Sequence, residues 1–424
     1  RRSIRRGGPR RAAAIYFEES RGLSEAARPE RAHQGATASA GRVRRLITPI
    51  LRVRSMITAF RASRSLLLPL ASVCAASTLA HAQVLSVVDP LPGDATAQCV
   101  GVSADGSSLA CNSYSFSTSM GFRQTSSGQR DAIGLLNGNG FATAYAVSGN
   151  GQIIVGNVFD SVGDHAVMWT PNGGLQELAP LPTSTIGAVA YSVSHDGSVV
   201  SGSSDDAGSV HAVRWTAGGG LQDLGLLPGG TYSQGYALSA NGNVVVGFGD
   251  SSIGEIGFRW TAQQGLQPLQ LLNPLDFSAG YAVSATGAFV AGYSGLTAVR
   301  WNAAGQPTEL GVLAGGSISS AFAISGSGQI VGGFGDNALG ELAATIWTTR
   351  LGLQDLNDLL PALGVDLTGW QLEVTTGIST DGRTWCGQGV YQGEFRGWVL
   401  RLPVLGPSAL GWLNGSAQRA GLIN

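Results

Sequence analysis

Cys99 and Cys111 are the residues in this chain whose type and spacing most directly suggest a covalent bond. They lie six positions on either side of Asp105, in the segment "CVGVSADGSSLAC". If Asp105-Gly106 is the tip of a β-hairpin, the two thiols face each other across it and a disulfide between them is expected. A bridge closing a loop of this size stabilises by about 3 kcal/mol on a chain-entropy model. Cys386 has no counterpart at such a spacing and is expected to be a buried thiol.

Other groups able to do chemistry are scattered. Asp160, Asp164, Asp205 and Asp206 cluster with Asp250 and Asp336 in polar stretches. Hard carboxylate oxygens there could hold Ca²⁺, although no stretch has the spacing of an EF-hand loop; the default is solvated loop carboxylates. His165 and His211 occupy one repeated position, but no third His or Cys stands near enough in sequence for a zinc set. Arg123, Arg214, Arg259 and Arg300 recur just before a tryptophan position. They could form a guanidinium ring for an acidic ligand, with pairing to carboxylates of neighbouring repeats favoured. Trp370 and Trp385 fall off the repeat. They are expected at the surface, as Trp412 is, and are the ligand-binding candidates, Trp370 because it lies in an insertion at 358–375. No Gly-x-Ser-x-Gly, P-loop or dinucleotide motif occurs, so no catalytic residue is assigned and no cofactor is expected.

The elements that must position these groups are repeats. The turns Asp105-Gly106, Asn150-Gly151, Asp196-Gly197, Asn241-Gly242, Thr286-Gly287, Ser327-Gly328 and Asp381-Gly382 are spaced by 45, 46, 45, 45, 41 and 54 residues. Asn-Gly and Asp-Gly favour type I′ hairpins, with positive φ at both central residues. In the fourth unit "GYALS", "VVVGF", "GFRWT" and "LQPLQLL" read as four short strands. That content per ~45 residues is a β-propeller blade. Trp169, Trp215, Trp260, Trp301 and Trp347 recur after the turn and are expected in the core between blades rather than on a sugar-binding face.

The first and last units decide the topology. The seventh unit has no "GLQxL" fourth strand, whereas Val84–Gly93, "VLSVVDPLPG", aligns with "GLQDLGLLPG" ahead of any complete repeat. The orphan is therefore the missing strand of the last unit, and the expected fold is an all-β, seven-bladed propeller over 83–403 closed by its N-terminal strand. A short tail, 404–424, follows.

Composition agrees: Gly is 63 of 424 residues and charge only 12%. From Gln83 onward there are 10 Arg against 23 Asp plus Glu, a net of 10 − 23 = −13. So acidic a body lacks the charge to neutralise nucleic-acid phosphates. Residues 1–55 are Arg-rich and precede the first Met, Met56; they read as translated upstream sequence. Residues 56–82 carry Arg61 and Arg64, the apolar run "SLLLPLASVCAASTLA" and Ala80-His81-Ala82, the pattern of a secretory signal peptide cleaved before Gln83.

Stretches such as "SVHAVRWTAGGGLQDLGLLPGG" (209–230) and "DHAVMWTPNGGLQEL" (164–178) resemble the HAF-repeat family of extracellular bacterial proteins. The resemblance runs from Val84 to Pro403, with Val replacing Phe in most copies. It implies an exported repeat protein and transfers no catalytic residue. The expected function is a non-enzymatic extracellular binding or surface-interaction module, secreted or periplasmic and monomeric. Its partner would be a glycan or a protein, and the mature chain has no membrane span. The alternatives are a propeller-housed hydrolase or lyase acting on extracellular polysaccharide, and a cell-surface spacer.

Overall fold

The computed structural model describes residues 84–138, 140–403 and 408–423; the upstream and signal-peptide segments lie outside them. Seven four-stranded antiparallel sheets make seven blades. Six blades run in chain order from inner to outer strand. In the seventh, the outer strand is Val84–Val88, which pairs antiparallel with Glu394–Arg401 from Val84↔Arg401 to Val88↔Gly397. The ring is closed by the N-terminal strand, as the repeat arithmetic requires, and Glu394–Arg401 is covered as the third strand is in the other blades.

Each blade begins with the same motif, Ser-x-Asx-Gly in five copies. Its serine is buried, from Ser103 to Ser379. In the first blade the Ser103 hydroxyl donates to Asp105 Oδ1 at 2.7 Å and accepts from Ser108 N–H at 3.0 Å. The turn differs from type I′. Gly106 and its six equivalents have positive φ, between 69° and 80°, but none of the residues before them does. Gly106 N–H returns to Ser103 C=O while Ser103 N–H reaches Ser108 C=O, so the loop spans 104–107. The side-chain bonds to Asp105 hold that residue at ordinary negative φ, leaving only the glycine in the left-handed region.

The turns also tie the blades together. Ala104 N–H donates to Gly149 C=O, His195 to Ala240, Ala240 to Ala285, Ala285 to Gly326, Gly326 to Thr380, and Thr380 back to Ala104; Asn150 N–H to His195 C=O supplies the remaining step. Seven backbone hydrogen bonds of 2.9–3.1 Å thus form a closed circuit around the axis.

Between blades the core is tryptophan and arginine. Trp169, Trp215, Trp260, Trp301 and Trp347 are all buried. Trp215 Nε1 donates to Ala179 C=O and Trp301 Nε1 to Gln270 C=O, each just past the outer strand of the preceding blade. The arginines are part of this packing. Arg123 lies over Trp169, Arg214 over Trp260 and Arg300 over Trp347, at 5.4, 5.6 and 4.8 Å from the ring centroids. Arg123, Arg259 and Arg300 donate to the turn-glycine carbonyls of the next blade, Gly151, Gly287 and Gly328. They form neither a ligand ring nor ion pairs between blades. Arg123 and Arg300 meet an indole face and a turn carbonyl together, Arg214 the indole and Arg259 the carbonyl. Arg123 alone meets a carboxylate, Asp131 of its own blade, at 2.7 Å.

Two segments depart from the repeat. The insertion before the seventh blade contains the helix Leu356–Ala362, capped by Asp355, with Leu356, Leu359 and Leu360 buried. The stretch after the propeller is not a loose tail. Ala409–Arg419 is a helix capped by Ser408, and Ala409, Leu413 and Ala417 join a cluster with Trp385, Trp398 and Leu400.

Candidate functional site

Antiparallel pairing sends the turns between first and second strands to one face of the propeller. The turns between second and third strands, with the links from blade to blade, go to the other. That second face carries the groups of functional interest. At its hairpin tips stand Phe116, Val162, Ile253, Leu296 and Leu339, exposed by 108%, 77%, 69%, 61% and 81%. They occupy nearly one position of the repeat, 9–11 residues after the turn glycine. In the third and seventh blades the tip is instead Ala207-Gly208 and Gln392-Gly393, where Ala207 and Gln392 are, among the described residues, the non-glycine ones with positive φ. An exposed large side chain at one site in five blades of seven is not the scatter expected of a solvated loop.

The seventh blade adds aromatics. Trp370 pairs in register with Tyr391, their rings 4.8 Å apart and tilted by 36°. Trp370 is therefore half-exposed at this face, where a ligand could reach it. Trp385 is not. It is fully buried in the blade, its indole N–H donating to Gly382 C=O at 2.7 Å. It sits off the tryptophan repeat because it is on the second strand, and its alternating position points into the core.

The aspartates are bound up in loop architecture. Asp205 accepts from the N–H groups of Thr185, Ile186 and Gly187 and from the hydroxyls of Ser184 and Thr185. Asp250 does the same for Thr231 and Tyr232, and Asp336 for Ser317 and Ile318. Each clamps the incoming inter-blade link to the end of the second strand. Hydrogen bonds from several N–H groups hold the Asp205 and Asp336 carboxyls below the ordinary range despite burial. Asp164, half-buried, is pushed up by desolvation and accepts from Asn157. Asp164 and Asp205 flank a cavity of about 10 Å³, room for one water. The four calcium candidates thus lie in two neighbouring blades, and among the described residues no three of them bring ligand atoms within reach of one another.

Sequence reasoning missed Glu177 and Asp223. His165 Nδ1 lies 2.7 Å from Glu177 and its Nε2 3.2 Å from Asp160; His211 Nδ1 lies 2.8 Å from Asp223. Asp160, His165 and Glu177 follow their turn glycine by the same 9, 14 and 26 residues as Asp206, His211 and Asp223. That shared spacing was the available signal. Ligand atoms of Asp206, His211 and Asp223 come within 4.8 Å of one another, and Thr183 also donates to Asp206. Glu177, then Asp160, raise the basicity of His165. A histidine with a raised folded pKa stabilises fully below its ordinary value of about 6.5 and loses that contribution as pH climbs through the folded value. His165→Gln should therefore lower the melting temperature at pH 5.5 more than at pH 8.5. An equal or reversed effect would show that the imidazolium is not stabilising.

The axis is lined differently. In all seven innermost strands the register shifts by one at a bulge. The seventh blade carries a second bulge at Glu373; at the shared position stand Val100, Tyr145, Tyr191, Tyr236, Tyr281, Phe322 and Thr376. Five of these are aromatic and touch in sequence around the ring, with centroids 4.6–5.4 Å apart. Burial pushes the Tyr191 phenol up to about 12 and Tyr236 well above its ordinary value, so both are protonated donors at neutral pH. Tyr232 donates to Glu255 at 2.6 Å and Tyr293 approaches the same carboxylate at 3.4 Å.

The same bulge sets the cysteine geometry. The turn alone pairs Val102 with Leu109 and Gly101 with Ala110; the bulge at Val100 then places Cys99 opposite Cys111. Their sulfurs are 3.0 Å apart and unbonded. At the position of Cys111 the other blades have glycine, where an added Cβ would fall 1.8–1.9 Å from a carbonyl oxygen. Cys386 is a fully buried thiol in the same cluster, at the junction of the last blade and the first.

No family model matches the sequence, and no curated protein does. Solved structures do match in fold. Oligogalacturonate lyase from Vibrio parahaemolyticus is 8% identical with a TM-score of 0.51, over 76% of this chain and 97% of that one. Virginiamycin B lyase from Staphylococcus aureus is 13% identical, TM-score 0.46, over 76% and 100%. TolB from Acinetobacter baumannii is 18% identical, TM-score 0.37, and the match spans about half of each chain, 52%. This chain is a seven-bladed β-propeller. At such identities the likeness carries the fold and no activity.

Proposed function

We propose that this propeller is an exported, non-enzymatic binding module of the HAF-repeat kind, working through its second-hairpin face. The observation that carries this reading is the set of five exposed apolar tips at equivalent positions. Apolar area held in water at a fixed place in successive blades costs solubility, and a partner that covers it is the physical reason to keep it. Trp370 and Tyr391 extend the same face into the seventh blade, one of the two without a large apolar tip. The axis, by contrast, presents repeated aromatics, whereas a hydrolase or lyase needs unlike acid and base groups held together.

A thermal-shift screen of residues 83–424 tests the reading. It would include polysaccharide fragments, candidate proteins, Ca²⁺ and a chelator, with product formation followed in parallel. A ligand bound by the folded state alone raises the melting temperature in proportion to its saturation. We expect a dose-dependent rise with one macromolecular ligand and no product. Release of cleaved or unsaturated sugar would overturn the reading in favour of the enzyme.

Export to an oxidising compartment also bears on the cysteines. We propose that Cys99 and Cys111 close into a disulfide in the secreted protein, since the register already holds the sulfurs in contact. Alkylation after denaturation without reductant should then label Cys386 alone among the mature cysteines. A label on Cys99 would remove the bond.

A further inference from the structure

We propose that the second-hairpin face receives a cationic polypeptide with an apolar side, a step that rests on the binding reading above. The hairpin tips are apolar and mostly aliphatic, Val162, Ile253, Leu296 and Leu339 with Phe116, while Phe141, Phe159 and Phe277 are exposed beside them at the turn bases and links. Leu275, 98% exposed, adds to them in the link between the fourth and fifth blades. Branched aliphatic tips match the apolar side chains of a polypeptide, and the exposed aromatics beside them add apolar area to the same face.

The surround of the tips is acidic. Asp160, Glu255, Glu341 and Glu394 lie on the same turns as the tips or on their counterparts, and the carboxylate clamps Asp250 and Asp336 lie at their bases. Among the described residues of these seven turns there is one guanidinium, Arg396, paired with Glu394; on the adjoining strands His165 meets Asp160 and Glu177, and His211 meets Asp223, so the carboxylates remain in excess. Positive charge must therefore come from the partner. Charge also argues against other occupants. A second copy would set carboxylates against carboxylates, and an anionic bilayer would repel them. The clamps fix the inter-blade links to the bases of these turns before anything binds, because Asp250 and Asp336 accept from two successive link N–H groups each at 2.6–2.7 Å. Little ordering cost then falls on association.

The test uses residues 83–424 and a dye-labelled amphipathic Leu/Lys helix, followed by anisotropy, with a Leu/Glu helix as its charge-reversed control. We expect the Leu/Lys probe to bind and the control not to. Affinity should fall roughly tenfold between about 50 and 300 mM salt, as the charges are screened. Replacing the five tips together by serine should cost at least about tenfold in affinity, since each loses buried apolar area. All five are exposed, so the variant keeps its fold and its melting temperature. Glu341→Gln with Glu394→Gln should flatten the salt dependence. Equal binding of both helices, unchanged binding by the serine variant, concentration-dependent self-association, or capture by phosphatidylcholine vesicles with no peptide binding would each overturn the proposal. If a polysaccharide raises the melting temperature and the Leu/Lys helix does not bind, the binding module stands and this partner class falls. If neither binds, both fall.

Discussion

A chain that begins after Gly93 should melt far below the intact protein and aggregate on heating. The deleted segment contributes five register pairs to Glu394–Arg401 and buries Val88 against Cys99 and Phe122. Leu85 packs on the cluster that holds Trp385 and Trp398. Losing these side chains costs on the order of 5 kcal/mol, or roughly 10 °C in melting temperature. The cut also leaves Glu394–Arg401 as a bare edge, the usual starting point for strand-to-strand aggregation. Adding the 84–93 peptide back in trans should recover part of the loss. A melting temperature within a degree or so of the intact chain would mean that closure contributes little.

Trp301→Ala should destabilise nearly as much from a single site. Trp301 is fully buried between the fourth and fifth blades, and its indole N–H satisfies the Gln270 carbonyl at 2.7 Å. Truncating a buried tryptophan leaves a cavity and costs about 3–5 kcal/mol, and here a carbonyl is left without its donor as well. Trp301→Phe separates the two contributions, because it keeps most of the volume and loses the hydrogen bond. We expect it to cost about 1–3 kcal/mol in urea unfolding. Arg300→Met offers an independent check on the same packing scheme. The arginine covers Trp347 and donates to Gly328 C=O, so methionine keeps the contact area and abandons the carbonyl. A Trp301→Ala protein as stable as the parent would remove tryptophan from the account of blade packing.

The architecture was open to sequence reading because a ring of repeats writes each contact seven times. The turn spacing located the blades, and the misplaced "VLSVVDPLPG" located the closure. The spacing of Cys99 and Cys111 matches the register of the other blades, where small residues pair at the same place, from Ala144↔Gly156 to Thr375↔Gly387. Reading failed where one residue type can satisfy two neighbours. Arg300 was legible as a repeated charge, but its neighbours are an indole face and a backbone carbonyl on the next blade, and neither is marked by charge in the sequence. Trp385 was misplaced because falling off a repeat does not decide which face of a strand a side chain takes. Asp105-Gly106 suggested a two-residue turn; serine and aspartate side chains build a longer one from the same letters.

The candidate surface was harder to see than the fold. Phe116, Val162, Ile253, Leu296 and Leu339 differ in type and drift by two residues in spacing, so no motif links them until the turns are folded. The histidine–carboxylate triads were hidden for a related reason. Glu177 and Asp223 lie on outer strands twelve residues past their histidines, and only strand pairing brings them back.

Amide hydrogen exchange of residues 83–424, with and without a cell-envelope extract, tests most directly whether the second-hairpin face is the working surface. The account predicts protection at the tips around 115–118, 160–163, 251–254, 295–297 and 337–341, with the first-hairpin turns near 104–107 and 149–152 unchanged. Protection confined to those first-hairpin turns, or to the innermost strands around Tyr191 and Tyr236, would contradict it.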